Sequence, residues 1–260
     1  VNVGDAYDSM RWNEVHSKKL KGVLLTHTHF DHIYGLNQLL DRYPDMIVFT
    51  SPEGREGLYS DKWNFSRYHH CQFIYAGSIF EGEGQYHAFY TGYNREYPKQ
   101  GKASQVLMHA VSDDLVHWTK TQDKLTFTPQ EGYDPDDWRD PFVLWDEDKQ
   151  QYMLILGARL AGPKTVQSGR TVKFTSKDLK NWKFEGEFWA PGLFVMHEMV
   201  DLFKIGDWWN HVVTEYSDRS KMIYRMSKSI DGPWIAPKED AFDGRALYAG
   251  RTFCLIDIRI

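Results

Sequence analysis

Apolar and polar positions alternate in two different rhythms along the chain. Residues 22–26 form a compact apolar run, Gly-Val-Leu-Leu-Thr, of the kind that fills a buried strand. Residues 31–42 carry Ile33, Leu36, Leu39 and Leu40 at helical spacing, Pro44 ends that helix, and residues 46–50 read as the next strand. A β-α-β order of this type predicts an α/β layer packing.

From about residue 72 the rhythm changes to short strand-like runs separated by Gly and Asp turns, with no helical period. The phrase Ser112-Asp-Asp-Leu-Val-His-Trp118 returns as Ser176-Lys-Asp-Leu-Lys-Asn-Trp182 and again as Ser227-Lys-Ser-Ile-Asp-Gly-Pro-Trp234. Trp118 and Trp182 stand 64 positions apart, Trp182 and Trp234 stand 52 apart. A strand-like run precedes each phrase, at 85–91, 151–157 and 208–214. Asp140-Pro-Phe-Val143 and Asp201-Leu-Phe-Lys204 stand ahead of the second and third runs. A unit of four short strands repeating at this interval predicts propeller blades.

Composition sharpens the division. Six of the eleven histidines but only two of the ten tryptophans, Trp12 and Trp63, fall in the first 71 residues. The formal charge of −5 lacks the basic face that nucleic acid or an anionic membrane surface requires, so neither partner is expected. Cys71 and Cys254 are too few for a disulfide framework, and no apolar run approaches bilayer length. No charged-then-apolar leader pattern opens the chain, so the expected location is cytoplasmic.

Two constellations carry chemistry. In the first segment, Thr26-His27-Thr28-His29-Phe30-Asp31-His32 joins a strand to a helix. His27 and His29 project to the same side of an extended backbone, and Asp31 and His32 open the helix. Imidazole and carboxylate donors together suit zinc, manganese or iron, and a pair of such ions can activate water. The motif resembles the His-x-His-x-Asp-His signature of the metallo-β-lactamase fold family, over roughly residues 1–71. That resemblance implies a metal-dependent hydrolase in which His27 and His29 bind one ion and Asp31 and His32 serve another. The family's later ligands and its second β-α half have no counterpart after residue 71.

In the second segment the candidates are carboxylates. Asp140 lies in Trp138-Arg139-Asp140-Pro141 beside a guanidinium, and Glu198 lies in the apolar stretch Met196-His197-Glu198-Met199-Val200. A carboxyl in apolar surroundings has its pKa raised, as a general acid at neutral pH requires. First strands of blades line a propeller's axis, so carboxylates at the start of successive repeats predict a glycosidase-like site with aromatic walls. The phrases Tyr86-His-Ala-Phe-Tyr-Thr-Gly-Tyr-Asn94, Trp138-Arg-Asp-Pro-Phe-Val143, His197-Glu-Met-Val-Asp-Leu-Phe203 and Phe242-Asp-Gly-Arg-Ala-Leu-Tyr-Ala-Gly-Arg-Thr-Phe253 resemble the five-bladed propeller glycoside hydrolases of family 32, with relatives in families 43 and 68.

The resemblance implies a carbohydrate substrate of the β-fructoside class, retaining chemistry and no cofactor for the propeller part. Asp140 then matches the transition-state stabiliser of the Arg-Asp-Pro motif, and Glu198 the general acid/base of a Glu-Cys-Pro-Asp motif in which Met199 and Val200 stand for Cys and Pro. Arg139 and Trp138 are the expected substrate contacts, and Asp243 and Tyr248 match the last recognisable blade with a structural role. The family's nucleophile comes from a first-blade Asn-Asp-Pro-Asn phrase that has no match before residue 72, which predicts impaired turnover. The expected fold class is therefore mixed: an incomplete α/β segment at 1–71, then a mainly-β incomplete five-bladed β-propeller at 72–260. Such a mosaic leaves two alternatives to a glycosidase, a metal-dependent hydrolase and a non-catalytic sugar-binding or chimeric scaffold.

Overall fold

The computed structural model describes residues 22–24, 36–50, 73–121, 128–216, 221–242 and 247–252. The chain divides into two compact units, Val1–Ile74 and Tyr75–Ile260.

In the first unit, strand β1 (Gly22–Leu24) pairs in parallel with β2 (Ile47–Phe49), and helix α1 (Leu36–Arg42) lies between them in sequence. Val23, Leu36, Leu39 and Met46 form a small buried cluster. The helix closes where Tyr43 N–H donates to Leu39 O, directly before Pro44. The elements fall where the apolar spacing puts them, but their extent corrects the α/β expectation. Two three-residue strands and two helical turns cannot cover a sheet, and among the described residues the chain is mainly β. None of those residues forms a helix long and apolar enough to cross a membrane.

Among its described residues, the second unit contains three antiparallel sheets, each running up and down in chain order. The first holds β3 (Phe73–Gly82), β4 (Gln85–Tyr93), β5 (Gln105–Ser112) and β6 (Thr119–Lys120). The next holds β7 (Tyr133–Asp146), β8 (Gln151–Leu160), β9 (Gly169–Ser176) and β10 (Trp182–Trp189). The third holds β11 (Met196–Ile205), β12 (Trp208–Tyr216) and β13 (Met222–Ser227). Among the described residues, this last sheet continues as isolated bridges from Met226 to Ile235 and from Ile223 to Ala241.

β8 explains how the sheets stack. Side chains on a strand alternate between faces. Tyr152, Leu154, Leu156 and Ala158 join Phe89, Leu107, Trp138, Val172 and Phe174 in one core. Met153 and Ile155 join Val200, Leu202, Val213 and Ile223 in another. A strand buried on both faces reads as a continuous apolar run, here Tyr-Met-Leu-Ile-Leu, rather than as an alternation. The recurrent Ser-x-Asp-Leu phrase is the turn that follows the third strand. Asp114 Oδ1 accepts from Val116 and His117 N–H at 2.8 and 2.7 Å, and Asp178 Oδ1 accepts from Lys180 and Asn181 N–H at 2.9 and 2.7 Å. Trp118 and Trp182 each donate their indole N–H back to the Leu carbonyl three residues earlier.

Candidate active site

The first strands of two neighbouring sheets, β7 and β11, each break register at the candidate carboxylate. Arg139 pairs with Gly157 but Phe142 with Ile155, and Glu198 pairs with Thr214 but Asp201 with Val212. One extra residue in each strand makes a β-bulge, the device that re-aims a side chain out of a ladder. Asp140 (φ 63°) and Met199 (φ 49°) occupy the left-handed region at these bulges, which non-glycine residues enter only where the surroundings hold them. Asp140 N–H donates to Thr91 Oγ1 at 2.9 Å, tying its bulge to β4. Met199 N–H donates to Asp140 Oδ2 at 2.9 Å, so each bulge orients the other.

Glu198 and Asp140 are brought together as the sequence predicts, and both are buried. Glu198 Oε1 accepts from Arg139 Nε at 3.1 Å and also from Nη2, while Oε2 accepts the Tyr248 hydroxyl at 2.8 Å. Burial raises the Asp140 carboxyl pKa; the Arg139 charge pulls it down and the Glu198 charge pushes it up again. Burial and the adjoining Glu198 likewise raise the Tyr248 phenol, which stays a donor at any working pH. Tyr75 and Tyr93 stack with ring centroids 5.0 Å apart, and burial holds the Tyr75 phenol at about 12 with the charges of Arg139 and Asp140 within reach.

The two expected substrate contacts differ in placement. Trp138 is fully buried, packed edge-on against Tyr133 and Phe174 inside the blade, because the residue before Arg139 on a strand faces the opposite side of the sheet. Arg139 faces the site, but protein acceptors occupy its nitrogens: Glu198 on Nε and Nη2, with Gln105 Oε1 at 3.2 Å and Asp137 Oδ1 at 2.8 Å on Nη1. These contacts fix its orientation against Glu198.

Tyr248, expected to be structural, touches Glu198 directly. Three further residues had no role assigned from the sequence, although Arg251 and Thr252 lie within the Phe242-to-Phe253 phrase. Arg251 donates to Val200 O at 2.5 Å and to Asp140 O at 3.3 Å. Thr252 donates to Asp201 Oδ2 through its N–H at 2.6 Å and its hydroxyl at 2.8 Å, closing the segment 247–252 over β11. Gln105 accepts from Trp138 N–H at 3.0 Å. Their partners lie more than 30 positions away in sequence, so no local spacing joins them. His27, His29, Asp31, His32 and Asp243 lie outside the described residues. Among the described residues, no group of three or more His, Cys, Asp or Glu side chains is placed to hold a metal.

A sequence profile of the glycosyl hydrolases family 32 N-terminal domain matches residues 58–246. The chain belongs to this family. The family-32 match begins upstream of residue 72, inside the segment that the sequence rhythm separates. Among curated relatives, the levanbiose-producing levanase of Bacillus subtilis (strain 168) is 25% identical over 237 residues, covering 65% of this chain and 42% of that protein. The enzyme of the same name from Geobacillus stearothermophilus is 24% identical over 236 residues, covering 65% of this chain and 54% of its own. The chain thus spans about half the length of these family-32 relatives. A shorter match, 36% over 53 residues, covers 20% of this chain and 21% of the hydroxyacylglutathione hydrolase of Buchnera aphidicola subsp. Schizaphis graminum (strain Sg).

Solved structures share the propeller fold. A sucrose-6-phosphate hydrolase from Lactobacillus gasseri matches with a TM-score of 0.50 at 22% identity, over 60% of this chain and 33% of that one. A variant of B. subtilis levansucrase matches with a TM-score of 0.50 at 16% identity, over 65% of this chain and 54% of that one.

Proposed function

We propose that the propeller unit acts on β-fructosides or related glycosides by a retaining carboxylate mechanism, with Glu198 as general acid/base and Asp140 stabilising the cationic transition state. The family fold implies a carbohydrate substrate. One observation carries the assignment of roles: paired bulges on β7 and β11 hold two buried carboxyls in one site and hand one guanidinium to Glu198. A carboxyl that must give a proton to a leaving oxygen and take one back from water needs partners that bind both of its forms. Arg139 and the Tyr248 hydroxyl both hydrogen-bond to Glu198, and the hydroxyl can donate or accept. Asp140, oriented by Met199 N–H, suits hydrogen bonding to sugar hydroxyls as charge develops on the ring. A retaining reaction also needs a nucleophilic carboxylate about 5–5.5 Å from the acid/base.

The test is hydrolysis of sucrose, inulin and levan by the wild-type protein and by Glu198→Gln and Asp140→Asn. Each substitution is expected to lower the rate by about 10²-fold or more. Fructose release that survives both substitutions overturns the assignment. Calorimetric binding of a fructoside without product release favours a sugar-binding scaffold.

A second reading concerns the first unit, where a parallel β1–α1–β2 unit and the short hydroxyacylglutathione hydrolase match accompany the histidine motif. Three imidazoles and a carboxylate within six residues are a donor set that suits zinc, manganese or iron. His27, His29, Asp31 and His32 would hold the ion, which when bound lowers the pKa of a water ligand. Metal analysis after metal-replete expression is expected to find a stoichiometric ion that is lost in His27→Ala/His29→Ala; metal-free protein removes this reading.

A further inference from the structure

Behind Arg139 lies a second set of buried charges that the proposed chemistry does not use. β7 loses register between Tyr133, paired with Leu160, and Trp138, paired with Ala158. The residues between them leave the ladder, and Asp137 comes to stand between two guanidinium groups. Asp137 Oδ1 accepts from Arg139 Nη1 at 2.8 Å, and Oδ2 accepts from Arg159 Nε at 2.5 Å. Arg159 also pairs with Asp134 and donates from Nη1 to the carbonyls of Leu160 and Gly162 at 3.0 and 3.1 Å. Lys164, exposed, reaches Asp137 Oδ2 at 3.4 Å. Burial works to raise the Asp137 carboxyl, but the donors from Arg159 and Arg139 outweigh it and hold it at about 2. The result is a row of alternating charge: Glu198, Arg139, Asp137, Arg159, Asp134.

Arg139 is the shared member of that row. A guanidinium is planar, so fixing Nη1 fixes the direction in which Nε and Nη2 point. Nη1 is held by Asp137 and Gln105, and the opposite edge meets Glu198.

We propose that Asp137 is a positioning residue for Glu198: it sets the orientation of Arg139, and with Arg159 it sets the field in which the Glu198 carboxyl titrates. The catalytic consequence rests on the acid/base reading of Glu198, whereas the coupling itself does not.

The groups that face Glu198 are Arg139 and Asp140 from β7 and Tyr248 from the segment after β13. Those that face Asp137 are Arg139, Arg159 and Lys164. Arg251 and Asp201 act on Asp140 or on each other from β11 and the 247–252 segment, and Tyr75 and Tyr93 approach from β3 and β4. Asp137→Asn removes one negative charge and leaves Arg139 and Arg159 short of a counter-ion. Both changes favour ionised Glu198, so its titration moves to lower pH. Lys164→Glu, on an exposed side chain, adds negative charge beside Asp137 and moves the titration up.

The experiment uses protein labelled with ¹³C-carboxyl glutamate, with the Glu198 resonance assigned by its loss in Glu198→Gln. Asp137→Asn is expected to lower the Glu198 midpoint by about half a pH unit or more, roughly a threefold change in proton affinity. Asp137→Glu is expected to restore part of that shift, and Lys164→Glu to raise the midpoint. An unmoved midpoint in a folded Asp137→Asn protein overturns the proposal. If Asp137→Asn does not fold, an unmoved midpoint in Lys164→Glu overturns it instead. Where fructoside hydrolysis is present, the basic limb of kcat/KM must follow the same shifts. A shifted midpoint with no hydrolysis keeps the coupling and removes the acid/base reading.

Discussion

At the scale of single residues, the site is a problem of keeping charges stable away from water. Asp140 is 3% exposed and its carboxyl is raised, chiefly by burial, so ionising it costs more in the folded chain than in the unfolded one. The sign follows from linkage. A carboxyl with a higher pKa in the folded than in the unfolded chain contributes stability that is complete below the unfolded value near 3.9. That contribution is lost as pH rises through the folded value. Asp140→Asn, which stays neutral, is therefore expected to gain stability relative to wild type as pH rises from about 4. Thermal unfolding of both proteins from acid to neutral pH reads this difference, and a gap that shrinks with rising pH contradicts it. Asp140 and Glu198 were legible because Arg-Asp-Pro and an acidic residue among methionines are local anomalies in the sequence. Trp138 was misjudged because a tryptophan beside a candidate carboxylate suggests a sugar platform, while strand alternation sends it into the core.

At the scale of elements, two bulges and one glycine bring β7 and β11 together. Gly157 pairs with Arg139 in the ladder, and a Cβ added to it would lie 1.9 Å from the His197 carbonyl oxygen. The backbone of β11 therefore crosses β8 at a point where no side chain fits. Gly157→Ala is expected to cost about 2–4 kcal/mol in urea unfolding, because the clash is with backbone and no rotamer relieves it. A loss below about 0.5 kcal/mol, the range of an ordinary surface change, refutes that packing. The strands and turns were readable: the run at 151–157 predicts β8, and the Ser-x-Asp-Leu phrase marks the turns capped by Asp114 and Asp178. The bulges were not, since an extra residue in a strand has no sequence signature until the partner strand supplies the register.

At the scale of the whole molecule, the cores between sheets hold histidines as well as apolar side chains. His87 Nδ1 and His109 Nε2 lie 2.9 Å apart, and Thr171 Oγ1 bridges His197 Nδ1 at 3.0 Å and His211 Nε2 at 3.2 Å. Burial lowers His109 and His211 to about 4, and His197 falls well below the usual value of 6.5. A histidine depressed in the folded state contributes stability that is complete above the unfolded pKa near 6.5 and is lost as pH falls toward the folded value. For His109 and His211 the difference is worth about 3 kcal/mol each, comparable together with a domain's whole stability. Cooperative acid unfolding between about pH 6 and 4 is expected, with a shallower slope in His211→Gln. A midpoint near pH 3 in the wild type excludes this source.

The sequence alone determined the propeller repeat, the acidic pair and the β-α-β elements of the first unit, because strand alternation, turn chemistry and helical spacing each act within about ten residues. Tertiary structure decided that Arg139 grips Glu198, that Tyr248, Arg251 and Gln105 complete the site, and that Trp138 does not. Those contacts join residues tens of positions apart, so their geometry exists only once the sheets have stacked.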